Sequence, residues 1–155
     1  MKNKKVLKAS KVEVKVKKNA GPKKIFIVED NLMYLKSMEI FLNEQFPDAD
    51  ISRFPNGELC LHSLHLNPDY IIMDYFLDSR FPKAYNGLEM IKQIRAKKNK
   101  AEIIVHSSQD KIEIAVEAAK GKKCHYVPKN VNAFENIISI IRKKWANAPA
   151  GAMRA

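Results

Sequence analysis

Several kinds of site and fold are excluded by what this chain lacks. It carries two cysteines, Cys60 and Cys124, far apart and without metal-ligand spacing, which argues against a disulfide framework and suits a reduced compartment. No apolar run approaches membrane-spanning length, and Val6-Leu7 is too short to serve as the apolar stretch of a signal peptide. A soluble, cytoplasmic protein is the expectation. Neither a glycine-rich phosphate loop nor a nucleophile elbow is present, which weighs against an enzyme of the flavodoxin or hydrolase type on an α/β scaffold. No internal repeat is evident.

What is present is 155 residues of 46% apolar composition, enough for one cored domain and too few for two. The formal net charge of +11 invites a nucleic-acid reading until it is located. Residues 1–24 hold ten Lys and one Glu, leaving 18 basic and 16 acidic residues for the rest. The folded part is therefore near neutral, and specific DNA binding is not expected. Basicity belongs to a leader, residues 1–22, that ends at the breaker pair Gly21-Pro22. Within it Val12, Val14 and Val16 alternate with charged residues, the period of a short strand, but so few apolar residues favour a flexible tail able to bind anionic surfaces weakly. The folded domain is placed at 23–147, with a C-terminal tail at 148–155.

From Ile25 onward strand and helix patterns alternate. Strands are expected near 24–29, 51–54, 70–74, 103–106 and 124–127. Helices are expected near Leu32–Gln45, after Pro55-Asn56-Gly57, near Gly87–Lys97, near Lys111–Lys120 and near Asn132–Asn147. Inward stripes include Leu35, Met38 and Leu42; Leu88, Ile91 and Ile94; and Phe134, Ile137, Ile138, Ile141 and Trp145, and the second helix carries Leu59, Leu61 and Leu64. Tyr70 to Met73 is apolar throughout, as for a central strand covered on both faces. Alternation of this kind implies right-handed crossovers and a doubly wound α/β parallel sheet of five strands with five helices.

The residues that end these strands are not apolar. Glu29 and Asp30 follow the first, Asp74 ends the third, Ser107 the fourth, and Lys129 follows Tyr126-Val127-Pro128. In a parallel sheet the carboxyl ends of the strands form one crevice, so acids, a hydroxyl and an amine can converge there. Carboxylates gathered in one place repel by about 4 kcal/mol for a pair 4 Å apart at an effective dielectric of 20. A divalent cation with oxygen ligands would relieve them.

Val28-Glu29-Asp30-Asn31, Ile71-Ile72-Met73-Asp74, Ser107 and Lys129, in that order, resemble the receiver domain of two-component response regulators, over about Lys23 to Lys144. The resemblance implies a flavodoxin-like sheet of order 2-1-3-4-5. It implies Asp74 as phosphoacceptor and a Mg2+ ion held by Asp30, Asp74 and the Phe76 backbone carbonyl, with Glu29 through water. It further implies Lys129 and Ser107 as phosphate-binding groups, Ser107 and Tyr126 as a switch pair, and Phe76 and Gln109 as residues that tune dephosphorylation. The partners implied are a sensor histidine kinase or histidine phosphotransfer protein and a downstream protein target, met through the helix near Lys111–Lys120, the fifth strand and the last helix; a homodimer is a further option. A stand-alone receiver of this kind is a signalling protein that assists its own phosphorylation and dephosphorylation, not an enzyme acting on other substrates. The alternative is an unphosphorylated pseudo-receiver serving as a protein-interaction module.

Two departures from the family pattern are expected to alter the surroundings. The stretch after Asp74 runs through Leu77-Asp78 and Ser79 to Asn86 before Gly87, about five residues longer than usual, an extension that surface loops tolerate. Asn130 follows Lys129 where the family has proline, and a cis bond before Asn would cost ~3 kcal/mol, so a trans bond is expected. His106 reads as a packed histidine, and His62 and His65, three apart on a helix, lack the neighbours a metal site needs.

Overall fold

Why the inner strands are apolar on both sides becomes clear once the helices are placed around the sheet. A computed structural model of the protein describes residues 22–77, 86–108 and 123–146. Within them lie β1 (Lys24–Val28), α1 (Leu32–Gln45), β2 (Asp50–Phe54), α2 (Gly57–Ser63), a 3-10 turn (Leu64–Leu66), β3 (Tyr70–Asp74), α3 (Gly87–Ala96), β4 (Glu102–Ser107), β5 (Cys124–Pro128) and α4 (Ala133–Ala146). The five strands form one sheet in the order β2-β1-β3-β4-β5, every neighbouring pair parallel. This is the expected flavodoxin-like α/β architecture. The basic leader, the loop extension at 78–85, Gln109, the helix expected near Lys111–Lys120 and the tail at 148–155 lie outside the described residues.

Side chains leave a strand alternately up and down, and the core divides accordingly. Phe26, Val28, Ile71, Met73, Ile103 and Val105 face one layer with Cys60, Leu64, Met90, Ile91 and Ile94 of the α2–α3 side. Ile25, Ile27, Tyr70, Ile72 and Ile104 face the other, with Leu35, Met38 and Leu42 of α1 and Ile137, Ile138 and Ile141 of α4. All five residues of β3 are buried, as expected for the central strand. Cys60 and Cys124 are buried free thiols, held in the protonated form by burial, which pushes them up to about 12 and about 11.

Helix starts are set by asparagine. Asn31, Asn56 and Asn86 each turn a side-chain oxygen to the amide three residues on, at Tyr34, Leu59 and Glu89, satisfying a donor that the first turn leaves unpaired. Glu89 answers Asn86 with its own carboxylate, completing a capping box. Two apolar stripes need correction. Met90, not Leu88, joins Ile91 and Ile94 in the buried face of α3, because the helix opens at Gly87 with that turn against the sheet. In the second helix Leu59 is exposed and Cys60 faces in; the regular helix ends at Ser63, so Leu64 reaches the core from the 3-10 turn.

Gly87 sits where no side chain fits. Its amide donates to the Tyr75 carbonyl at 2.8 Å, and a Cβ there would stand 2.7 Å from Tyr75 Cδ2 and 3.0 Å from Tyr75 Cα. Backbone cannot yield as a flexible side-chain tip can. Gly87→Ala is expected to lower stability by about 1–3 kcal/mol, read as a reduced urea midpoint at unchanged slope.

Candidate functional site

Because all strands run the same way, their carboxyl ends share one edge of the sheet, and the polar residues that follow them meet there. Glu29 leaves β1 with its amide bonded to the Phe54 carbonyl of β2, and its carboxylate Oε1 accepts the Asn31 amide at 3.1 Å. Asp74 ends β3, where its Oδ1 accepts the Phe76 amide at 3.2 Å. Lys129 leaves β5 with its amide on the Ser107 carbonyl at 2.7 Å. Its ammonium then reaches across to Glu29 Oε2 at 2.8 Å and Asp74 Oδ2 at 2.7 Å. Residues 100 and 55 positions apart in sequence are thus joined by one cation.

Glu29, Asp30 and Asp74 each present a carboxylate oxygen, all within 4.8 Å of one another. Glu29 and Asp74 are buried, at 3% and 9% exposure, and Asp30 is half-buried. Burial lifts the Glu29 carboxyl above its ordinary range and Asp74's charge adds to the lift, against the hydrogen bond and charge of Lys129 and the Asn31 amide. Burial also disfavours the Lys129 ammonium, but its bonds and charge pairing with Asp74 and Glu29 prevail and hold its proton more tightly than usual. One ammonium against three carboxylates leaves two negative charges on a set of hard oxygen donors. That set fits a Mg2+ ion, which takes oxygen ligands and keeps several waters.

Of the remaining expected residues, Ser107, Tyr126 and Phe76 are described and Gln109 is not. Ser107 is fully buried at the end of β4; its carbonyl also accepts the Tyr126 hydroxyl at 3.4 Å. Tyr126 is half-buried against the α2–α3 layer of the core. Phe76 lies beside Asp74 with its side chain 47% exposed. No cis peptide bond occurs among the described residues, so the Lys129–Asn130 bond is trans, as expected for Asn in the place of proline. Asn130 uses its freedom otherwise, accepting the Asn132 amide at 3.0 Å on its side chain and the Ala133 amide at 3.1 Å on its carbonyl, which starts α4.

The family comparison agrees with this geometry: the response regulator receiver domain matches residues 25–142. The chain belongs to that family. The receiver is accordingly a module of two-component signalling, and receivers are signalling proteins that bind Mg2+ through acidic residues and interact with histidine kinases or phosphotransfer proteins. Among solved structures, the receiver resembles a CheY-like receiver domain protein from Methanospirillum hungatei, with 19% identity, TM-score 0.64, and coverage of 81% of this chain and 95% of that one. It also resembles a response regulator from Colwellia psychrerythraea, with 20% identity, TM-score 0.60, and coverage of 79% and 95%. The chemotaxis protein CheY4 of Vibrio cholerae shows 16% identity, TM-score 0.64, and coverage of 79% and 98%. At such identities the likeness speaks for the fold. No curated protein sequence matches the receiver. Among the described residues no helix is long and apolar enough to cross a membrane.

The receiver's sequence did not single out Tyr34, and it placed His106 only as a packed residue. The structure pairs them: the Tyr34 hydroxyl bonds His106 Nε2, and the Tyr34 ring lies 4.6 Å from Lys129 Nζ. A histidine inside an otherwise apolar strand was the available signal, since a buried imidazole needs partners.

Burial, with the nearby Lys129 charge, pushes His106 from 6.5 down to about 4, against the Val127 carbonyl bond. Between those pH values the unfolded chain binds the extra proton, so the His106 contribution is complete above about pH 6.5 and is lost as pH falls toward about 4, by up to roughly 3 kcal/mol. Glu29, shifted upward, acts with the opposite sign, so the effect is isolated by subtraction. Urea unfolding is expected to show the stability advantage of wild type over His106→Gln shrinking steadily from about pH 6.5 to about pH 4; an advantage independent of pH would refute it.

Proposed function

We propose that this receiver accepts a phosphoryl group on Asp74 from the phosphohistidine of a sensor histidine kinase or phosphotransfer protein and signals through a downstream protein. The observation that carries this reading is the Lys129 ammonium bridging Glu29 and Asp74 beside a third carboxylate, Asp30. In the step itself an Asp74 oxygen attacks phosphorus, the P–N bond breaks with its electron pair going to the imidazole nitrogen, and an acyl phosphate remains. Oδ1 is oriented by the Phe76 amide and Oδ2 by Lys129, so the carboxylate is aimed before the donor arrives. Lys129 then offers its charge to the transferring oxygens.

Asp30 and Asp74 would hold Mg2+ directly, with the Phe76 carbonyl, and Glu29 through water. When bound, the ion neutralises the crowded carboxylates and the charge on the phosphoryl oxygens. Phosphorylation brings about −1.5 to −2 charge and three strong acceptors in ordinary phosphoresidues. Ser107 would donate to one of them. The existing bond from Tyr126 to the Ser107 carbonyl supports coupling of that movement to Tyr126, a shift between two packings. Phe76, and Gln109 outside the described residues, would govern access of hydrolytic water. We assign residues 1–22 as a basic leader with weak affinity for anionic surfaces, 23–147 as the receiver and 148–155 as a tail, in a cytoplasmic protein free of specific DNA binding, with a homodimer as a further partner state.

Intact mass after treatment with a small phosphodonor and Mg2+ tests the reading. Wild type is expected to gain one phosphoryl group and Asp74→Asn none; an unmodified wild type would instead support an unphosphorylated interaction module. Lys129→Met is expected to slow uptake about 10²- to 10³-fold, the usual cost of removing one preorganised charge-stabilising donor. Phe76→Asn is expected to shorten the lifetime of the adduct, followed by the same mass measurement over time.

A further inference from the structure

His106 is a buried titratable group for which the phosphoryl chemistry above has no use. It is 1% exposed and lies directly across from Asp74 in the β3–β4 register. That burial removes it as a site of phosphorylation. Both of its ring nitrogens are engaged: Nδ1 lies 3.2 Å from the Val127 carbonyl, and Nε2 meets the Tyr34 hydroxyl. A carbonyl can only accept, so Nδ1 carries the proton and the Nε2 lone pair receives the Tyr34 O–H.

These two bonds reach both ends of one lysine. Val127 stands two residues before Lys129 on β5, and the ring that Tyr34 presents, 4.6 Å from Lys129 Nζ, is fixed at its far end by the same imidazole. Phe134 of α4 meets that ring edge-on at 5.3 Å and 79°, limiting its rotation. The geometry points to Tyr34 and His106 as positioning residues that hold the Lys129 ammonium at the phosphoacceptor.

The need for such a support follows from the chemistry of Asp74. In the resting site Lys129 is drawn by two carboxylates, but formation of the acyl phosphate moves the negative charge from the Asp74 carboxyl oxygens to the phosphoryl oxygens. A lysine is a point charge on a flexible four-carbon stem, and it must keep its position while it exchanges one partner for the other. Attraction to a ring face comes from the quadrupole and does not depend on the state of Asp74. Tyr34 thus supplies a contact that persists while the phosphoryl group arrives. The inference rests on Lys129 serving phosphoryl transfer to Asp74.

The test uses the full chain as wild type, Tyr34→Phe, Tyr34→Leu and His106→Gln, with two readouts. In 13C-lysine NMR, with Lys129 assigned through Lys129→Met, the wild-type ε-methylene is expected upfield of other lysines from the ring current, retained in Tyr34→Phe and lost in Tyr34→Leu. The maximal rate of phosphoryl uptake from acetyl phosphate with Mg2+ is expected to fall roughly 3- to 30-fold in Tyr34→Leu, with Tyr34→Phe and His106→Gln between it and wild type. An unshifted methylene in wild type overturns the proposal. So does a wild-type rate in Tyr34→Leu or, should that variant fail to fold, wild-type rates in both Tyr34→Phe and His106→Gln. A shifted methylene in a wild type that takes up no phosphoryl group overturns the functional reading and the catalytic purpose of the contact, a failure distinct from loss of the contact itself.

Discussion

The ion pairs of Lys129 with Glu29 and Asp74 are the interaction on which the rest of the site depends. Two carboxylates that are almost wholly buried would be costly to keep ionised without a counter-charge. Lys129 supplies one, and it can do so only because β1, β3 and β5 end at the same edge of the sheet. The cation comes from an outer strand and the acids from the two strands nearest the centre, so the pairing spans most of the sheet. Every other feature of the site is arranged around that crossing.

The resulting electrostatics are unbalanced, and the imbalance is useful. Burial keeps Glu29 reluctant to ionise even with the ammonium beside it, while the same ammonium is held firmly in its charged form. A stable fold would be served better by apolar residues of similar size. Concentrated negative charge on hard oxygen donors suits a divalent cation, and strand ends that give up stability in this way are where a functional site is expected. The neighbouring Tyr34–His106 pair belongs to the same economy of position, since it braces the cation without adding charge.

The strands and most helices were legible because period-2 and period-3.6 patterns report burial directly. Where the reading slipped, burial was decided by the entry angle of a helix. Leu88 and Met90 are both plausible inward residues of one amphipathic stretch, and the close approach of Gly87 to Tyr75 selects Met90. The break at Ser63 likewise left no mark in the leucine spacing. The asparagine caps were visible as residue types, yet their role follows from backbone geometry that spacing alone does not reveal.

At the site, order along the chain was enough to name Glu29, Asp30, Asp74, Ser107 and Lys129, because a residue that ends a buried parallel strand must open onto the shared edge. Sequence alone therefore determined that Glu29, Asp30, Asp74 and Lys129 gather, and that such a set suits oxygen-binding cations. Only the tertiary structure decided which of them touch, which oxygen meets the ammonium, and that Tyr34 and His106 stand behind it. The physical reason is range: strand and helix periodicities act over a few residues, whereas an ion pair or a ring-to-cation contact depends on angstrom-scale distances between segments brought together only by the packed sheet.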